Sequence, residues 1–153
     1  MIEARDTRRV RSTRDTPFVP TILLVESSRH DDRGVYAEYL RILKFHTIEI
    51  DDTADALALA FTADVIVTDV RVPGPFDGIE LVRRIRAERR TTGKAVIVLT
   101  ACIAENDRQR SYAAGCDGFL PKPCLPDELL AEIQRVMTIR FANFDGGRSS
   151  RVR

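Results

Sequence analysis

The chain has 153 residues, of which 44% are hydrophobic, and a formal net charge of +1. This length suits one domain with short extensions, and a nearly neutral charge gives no global attraction to nucleic acid or to membranes. The longest apolar runs, such as 22–25 and 95–99, are too short to span a bilayer, and no signal-peptide pattern opens the chain. Cys102, Cys116 and Cys124 match no zinc-binding spacing, which predicts free thiols and a cytoplasmic protein.

Strand and helix patterns alternate along the chain. Runs of apolar and β-branched residues predict five strands, at 21–25, 46–50, 64–68, 94–100 and 117–120. A helix is predicted after each strand, at 31–44, 54–61, 78–90, 104–114 and 126–140; the fourth is polar and ends at Gly115, a plausible C-cap. This alternation predicts a doubly wound α/β domain, in which a five-stranded parallel sheet has helices on both faces.

Both ends of the chain lack apolar periodicity and are rich in arginine. The first stretch contains ARDTRRVRSTRDT, and the last residues read GGRSSRVR. We therefore predict disordered tails at 1–18 and 141–153 around a single domain at 19–140. Solvated tails are the simpler interpretation, and an arm that binds RNA or an acidic partner rests on composition alone.

Polar residues follow four of the predicted strands. Glu26 and Ser27 follow the first strand, Asp69 follows the third, Thr100 ends the fourth, and Lys122 follows the fifth. Each alone is readily explained as a turn residue or a helix cap. In a doubly wound sheet, however, all of these positions meet at the carboxyl edge, where functional sites form.

The chemistry of these residue types fits phosphoryl transfer to Asp69. A carboxylate can attack a phosphoryl group and form an acyl phosphate. The transition state needs cations near its oxygens, which Lys122 and a divalent metal can supply, and Thr100 can donate a hydrogen bond. The chain has no glycine-rich phosphate loop, so a nucleotide is not the obvious donor.

These residues lie in segments that resemble the receiver domain of two-component response regulators. The matching segments are ILLVESS, DVIVTDVRVPGPFDGIELVRRIR, VIVLTA and GCDGFLPKPCLPDELLAEI, and the resemblance covers roughly 20–140. It implies a flavodoxin-like (βα)5 fold, Asp69 as the phosphoacceptor, Lys122 in contact with the phosphoryl group, and Thr100 with Phe119 as a coupled switch pair. It also implies a cis bond between Lys122 and Pro123. The implied magnesium ligands are Glu26, Asp69 and the Arg71 backbone carbonyl.

The sequence departs from the family pattern first at the end of the first strand. Two acids are usual there, and Ser27 stands in the place of the second, which is normally a direct magnesium ligand. A hydroxyl is a poorer ligand for magnesium than a carboxylate, so we expect weak binding of Mg²⁺. Asp31 and Asp32 lie close enough in sequence to compensate, although they also suit the start of a helix, the interpretation we favour.

Two further departures surround Asp69. The turn PGPFDG is one residue longer than usual, and Phe76 within it is either a lid over the site or, more simply, a hydrophobic plug. Arg71 stands where an apolar residue is common. Its guanidinium could shield the site, pair with Glu26 or bind phosphate, or it could be a solvated surface group. The arginines of 83–90 are most simply a solvated helix face.

The resemblance implies a non-enzymatic stand-alone receiver that assists its own phosphorylation and hydrolysis. Its partners would be a histidine kinase or phosphotransfer protein and an unidentified downstream protein, and no DNA-binding domain is predicted in the chain. The alternative is a degenerate receiver that binds partners without phosphorylation, which Ser27 favours and which Asp69, Thr100 and Lys122 oppose. A flavodoxin-like enzyme or nucleotide binder is a third class, disfavoured by the missing phosphate loop.

Overall fold

The computed structural model describes residues 17–27 and 32–146. The strands are β1 (Thr21–Val25), β2 (His46–Ile50), β3 (Val65–Thr68), β4 (Ala95–Thr100) and β5 (Gly118–Pro121). The helices are α1 (Asp32–Ile42), α2 (Thr53–Leu59), α3 (Gly78–Ala87), α4 (Glu105–Ala114) and α5 (Pro126–Gly146). Among the described residues, no helix is both long enough and apolar enough to cross a bilayer. The predicted doubly wound α/β fold is confirmed.

The strands form one parallel sheet in the order β2-β1-β3-β4-β5. The chain steps outward from β1 to β2 and then returns past β1 to β3, so the strand order reverses between β1 and β3. Val25 pairs with Thr68 at the ends of these two strands. The residues that leave the strands at this point, Glu26 and Asp69, therefore emerge side by side at the switch point, where doubly wound sheets place their sites.

Two apolar layers hold the sheet, one on each face. One layer packs α2, α3 and α4 on residues such as Leu23, Ile66 and Val98. The other packs α1 and α5 on residues of the opposite parity, such as Leu24 and Leu99. All strand residues of β3 and β4 are buried, because a parallel sheet covered on both faces needs continuous apolar strands. The central strands are thus rigid supports for the residues at their ends.

Four helices end elsewhere than predicted: α1 ends at Ile42 rather than Lys44 and α2 at Leu59 rather than Phe61, and the differences are larger for α3 and α5. Helix α3 ends at Ala87 rather than Arg90, because the Thr91 hydroxyl donates to the Ile85 carbonyl (2.7 Å) that another helical turn would use. Helix α5 continues past Arg140 to Gly146, and the ring of Phe141 meets that of Phe18 edge-to-face at 5.9 Å. The prediction of a disordered tail was therefore wrong for 141–146. The predicted tails at 1–16 and 147–153 lie outside the described residues.

The arginines of 83–90 are not all solvated, which corrects the sequence interpretation. Arg86 is largely buried, and burial lowers the pKa of its guanidinium, although it forms an ion pair with Asp117 at 2.9 Å. It also donates to the carbonyls of Gly115, Thr92 and Lys94. Arg86 therefore joins α3 to the segments that enter β4 and β5.

Candidate active site

Asp69 is the first residue after β3, and its side chain is held in a fixed orientation. The residue is buried, with 6% of its surface exposed. Its backbone N–H donates to the carbonyl of Val25 at 3.0 Å, which continues the pairing of β1 with β3. Its Oδ1 accepts hydrogen bonds from the Val70 backbone N–H and the Thr100 hydroxyl, both at 2.6 Å. One carboxylate oxygen is thus occupied by neutral donors, while the other faces Lys122.

Lys122 brings the only ammonium that the described contacts place on this carboxylate. Its Nζ donates to Asp69 Oδ2 at 3.1 Å and also to Oε1 of Glu26. Its backbone N–H donates to the carbonyl of Thr100 at 2.9 Å, which anchors β5 beside the end of β4. The Lys122–Pro123 bond is cis, as the resemblance implied. Four of the five strand-end residues that the sequence pointed to therefore meet at one place, namely Glu26, Asp69, Thr100 and Lys122.

The charged groups of the site lie close together. Burial lowers the pKa of the Lys122 ammonium, because the charged form loses its hydration. Two carboxylates, from Glu26 and Asp69, contact this one ammonium. Carboxylate oxygens are also the ligands that hard divalent cations prefer.

Two of the acids that the sequence pointed to meet in this site. Glu26 and Asp69 supply carboxylates close to a common point, and Ser27 is buried directly beside Glu26 in sequence. No group of three or more His, Cys, Asp or Glu side chains clusters within 17–27 and 32–146. Asp32 begins α1, as the helix-start interpretation expects, and Asp31 lies outside the described residues. Two carboxylates, the Arg71 carbonyl and water are a donor set that magnesium accepts.

An open cleft of about 650 Å³ lies over Asp69. Its walls include Thr100, Cys102, Lys122 and the exposed Arg71. The described contacts give the Arg71 guanidinium no ion pair, so the suggested pairing with Glu26 is not formed. Arg71 therefore remains available at the rim of the cleft to an incoming anion.

The turn after Asp69 depends on a close approach that only glycine permits. Gly78 N–H donates to the carbonyl of Val70 at 2.8 Å, and a Cβ on Gly78 would lie 1.8 Å from the Asp69 carbonyl oxygen. Asp77 accepts from the Glu80 N–H at 2.8 Å and so caps α3. The Asp-Gly pair therefore starts α3 directly against the backbone of Asp69.

The lengthened turn is fastened to α2. Thr53 donates its N–H to the Pro73 carbonyl at 2.9 Å and its hydroxyl to the Phe76 carbonyl at 2.7 Å. The ring of Phe76 packs against the core, with the Arg84 guanidinium 4.2 Å from its centre. This agrees with a plug rather than a lid. Sequence inspection missed Thr53, because nothing in its local pattern indicates a partner more than twenty residues away.

Phe119 shares a sheet face with Thr100. Phe119 pairs with Val98 in the β4–β5 register, and Val98 and Thr100 alternate onto the same face. The ring is half-buried against the core layer that contains Val96 and Val98. The implied switch pair is thus placed on neighbouring strands, with Thr100 bonded to Asp69 and Phe119 at the surface.

The family model of the response regulator receiver domain matches residues 22–134. The chain belongs to the response regulator receiver family. The match spans the five strands apart from Thr21 and the first part of α5, so the receiver fold accounts for most of the described structure.

The curated relatives of this receiver are response regulators. The phosphate regulon transcriptional regulatory protein PhoB of Pseudomonas aeruginosa is 31% identical over 119 residues, which are 76% of this chain and 51% of that protein. The response regulator MprA of Mycobacterium leprae is 35% identical over 114 residues, 70% of this chain and 48% of that protein. The chain spans about half the length of these relatives.

Solved receivers share the fold, and one of them contains a metal ion. The receiver domain of a Pseudomonas aeruginosa sensor histidine kinase, with a magnesium ion in its active-site cleft, is 31% identical with a TM-score of 0.71. That match covers 79% of this chain and 99% of the other. Vibrio cholerae chemotaxis protein CheY4 is 30% identical, with a TM-score of 0.70 over 78% of this chain and 99% of that one.

Proposed function

We propose that this receiver accepts a phosphoryl group on Asp69 from a histidine kinase or phosphotransfer protein and then signals by binding another protein. One observation carries the proposal. The Thr100 hydroxyl and the Lys122 ammonium contact different oxygens of the Asp69 carboxylate, at 2.6 and 3.1 Å. A nucleophile with a hydroxyl donor and a cation beside it has the parts that phosphoryl transfer requires.

In the proposed reaction a carboxylate oxygen of Asp69 forms a bond to phosphorus as the bond from phosphorus to the donor nitrogen breaks. The new acyl phosphate adds negative charge beside Lys122, which can move from the carboxylate to a phosphoryl oxygen. The Thr100 hydroxyl can likewise turn to a phosphoryl oxygen, since the Asp69 carboxylate that now accepts its hydrogen bond is the group that reacts. The domain thereby assists one transfer and later hydrolysis without acting as a turnover enzyme.

Magnesium fits this proposal as a weakly held cofactor. Glu26, Asp69 and the Arg71 carbonyl would hold it, with water completing the octahedral shell and Ser27 in the place of the usual acid. When bound, the ion would neutralise charge on the phosphoryl oxygens. The magnesium reported for the sensor-kinase receiver supports this assignment by similarity.

A phosphorylation-independent binding module is the second candidate function. Ser27 favours it, because the described acid cluster at the site holds only the Glu26 and Asp69 carboxylates. In that case Lys122 would act as a structural cation that bridges the two carboxylates. The two functions differ in one observable, which is whether Asp69 becomes modified.

The deciding experiment is intact-mass measurement after incubation with a small phosphodonor, with and without magnesium. Wild-type protein should gain one phosphoryl mass, and Asp69→Asn, which keeps the shape but removes the nucleophile, should gain none. Asp77→Asn is a suitable control, since Asp77 is an exposed helix cap at the far end of the same turn. Equal labelling of wild type and Asp69→Asn would refute the assignment, and no labelling of wild type would favour the binding module.

A further inference from the structure

The sheet edge opposite Asp69 carries a second cleft, of about 470 Å³. It lies between the turn that enters β4, the residue before β3, and the last part of α5. The cationic side chains that line it are Arg89, Arg90, Lys94 and Arg140, and Asp64 is the one acid among the described lining residues. The lining therefore carries a formal charge of +3, whereas the whole chain carries only +1. We call this site the basic cleft.

The turn that carries three of these cations is rigid. Thr91 is buried and donates to the Ile85 carbonyl at 2.7 Å. The Arg86 guanidinium donates to the carbonyls of Thr92 and Lys94. The Lys94 backbone N–H donates to the Thr91 carbonyl at 2.9 Å. Because the backbone is fixed, Arg89, Arg90 and Lys94 present their charges together without a further ordering cost for the chain.

The charges of the basic cleft are poorly neutralised by the protein. The Asp64 carboxylate accepts a hydrogen bond from the Thr21 backbone N–H at 2.8 Å. Arg140 shares Asp117 with Arg86, so these three side chains together retain one positive charge.

Two further cations of the basic cleft have no acidic partner. The described contacts include no ion pair for Arg89 or Lys94, whereas Arg83 and Arg84 on the exposed face of α3 both pair with Glu80. The cleft thus concentrates free positive charge.

Exposed aromatic rings stand around the same cleft. Phe141 lines it and is 46% exposed, and Phe18, in contact with Phe141, is 65% exposed. Phe61 lines a neighbouring pocket, where the Arg90 guanidinium lies 4.0 Å over its ring. Exposed phenyl rings beside cations without an ion pair are the combination that single-stranded nucleic acids use, because bases stack on rings while phosphates meet cations.

The flanking sequence adds charge of the same sign. Five arginines occur in residues 1–16 and three in 147–153, and the described chain at 17–20 and at 141–146 leads into these segments from the basic-cleft edge. A polyanion would be attracted by the positive charge of these segments as well as by that of the basic cleft.

We propose that the basic cleft binds single-stranded nucleic acid, with phosphates on Arg89, Arg90 and Lys94 and a base against Phe141. The cleft volume lies within the range of pockets that hold a drug-sized group, which a single nucleotide is. The site is at the edge opposite Asp69, so this activity does not depend on the phosphoacceptor proposal.

The test is fluorescence anisotropy of labelled oligo(U) and oligo(dT) with the full chain across a salt series. The three proposed phosphate contacts predict a slope of log affinity against log salt of about −2. Arg89→Gln with Lys94→Gln should weaken binding about tenfold and reduce the slope by about 1.4. Phe141→Leu should weaken it about fivefold at an unchanged slope. The preferred oligonucleotide would tell RNA from DNA.

A matched control separates the cleft from general charge. Arg83→Gln with Arg110→Gln removes the same charge from exposed helix positions and should bind like wild type. Thermal unfolding and phosphodonor labelling should be unchanged in both double variants. Wild-type binding by the cleft variant, equal loss in the control, or equal competition by an oligoglutamate peptide would overturn the proposal. The proposal would also be overturned if binding were lost only in a variant with glutamine at Arg5, Arg8, Arg9, Arg11 and Arg14.

Discussion

Lys122 reaches Asp69 across the end of a strand that separates them. Asp69 follows β3 and Lys122 follows β5, with β4 between them in the sheet, yet Nζ lies 3.1 Å from Oδ2. The same ammonium contacts Glu26 after β1. A single side chain thus connects the ends of three strands, and a change in the charge of Asp69 acts on all of them.

Lys122→Ala should slow phosphorylation of Asp69 by about a hundredfold, because the transition state loses a positioned cation. Lys122→Arg is the matched control: it keeps the charge but replaces a compact ammonium with a planar group, so we expect an intermediate rate. Time courses of intact mass with a small phosphodonor measure both. A wild-type rate in Lys122→Ala would contradict the role assigned to this residue.

Thr100→Val should separate phosphorylation from the response of Phe119. Valine keeps the buried shape but leaves Asp69 Oδ1 and the Cys102 N–H without the hydroxyl, at a cost of about 1–3 kcal/mol in stability. NMR signals of Phe119 should then shift less on phosphorylation than in wild type. Thr68→Val is the control, since the buried Thr68 hydroxyl bonds the Asp69 backbone carbonyl rather than its carboxylate. The same loss of response in both variants would refute a specific switch role for Thr100.

Ser27→Asp should tighten magnesium binding and accelerate labelling of Asp69. The substitution restores the second acid at the end of β1 and adds one unit of attraction close to the ion. Calorimetric titration of magnesium against wild type, Ser27→Asp and the uncharged Ser27→Asn distinguishes charge from side-chain size. If Ser27→Asp binds no more tightly than Ser27→Asn, position 27 is not at the metal.

Gly78→Ala should destabilise the domain by about 1–3 kcal/mol, because the new methyl group would overlap the Asp69 carbonyl. Gly34→Ala is the control within α1, where a Cβ meets nothing within 4 Å and the helix should gain about 0.5–1 kcal/mol. Urea unfolding monitored by circular dichroism gives both values. Similar effects of the two substitutions would show that the turn relaxes easily around Asp69.

Thiol alkylation near pH 8 should modify Cys102 well before the other cysteines. Burial raises the pKa of Cys116 to about 12 and that of Cys124 to about 11. Since only the thiolate reacts, roughly one Cys116 in ten thousand is reactive at that pH, and the fraction rises tenfold with each pH unit. Cys102 is half-buried at the cleft and donates its N–H to Thr100, so phosphorylation should change its alkylation rate. Peptide mass mapping measures this, and fast labelling of Cys116 would contradict the packed β4–β5 edge.

Local patterns predicted the strands and the positions of Glu26, Asp69, Thr100 and Lys122, because a buried parallel strand leaves a strong apolar signature and its carboxyl end is fixed by the topology. The contact of Lys122 with both carboxylates could not be predicted from the sequence. Hydrophobic periodicity shows at which edge of the sheet a residue lies, but not which groups its side chain contacts.

The opposite edge was not predictable in the same way. Asp117 was taken only as the start of a strand, and Arg86 as part of a solvated face. Their pairing joins residues from separate helices and loops that no short window contains. The continuation of α5 likewise depends on Phe141 meeting Phe18, a contact between the two ends of the described chain.

Asp117 anchors β5 at one end. Its carboxylate accepts from Arg86, from Arg140 and from the Val96 backbone N–H, which fixes the start of β5 to α3, α5 and β4. The other end of the strand carries Lys122, whose contacts would change on phosphorylation of Asp69 in the proposed function. A displacement of Lys122 would then bend β5 against its anchored start, and Phe119 lies between these two ends.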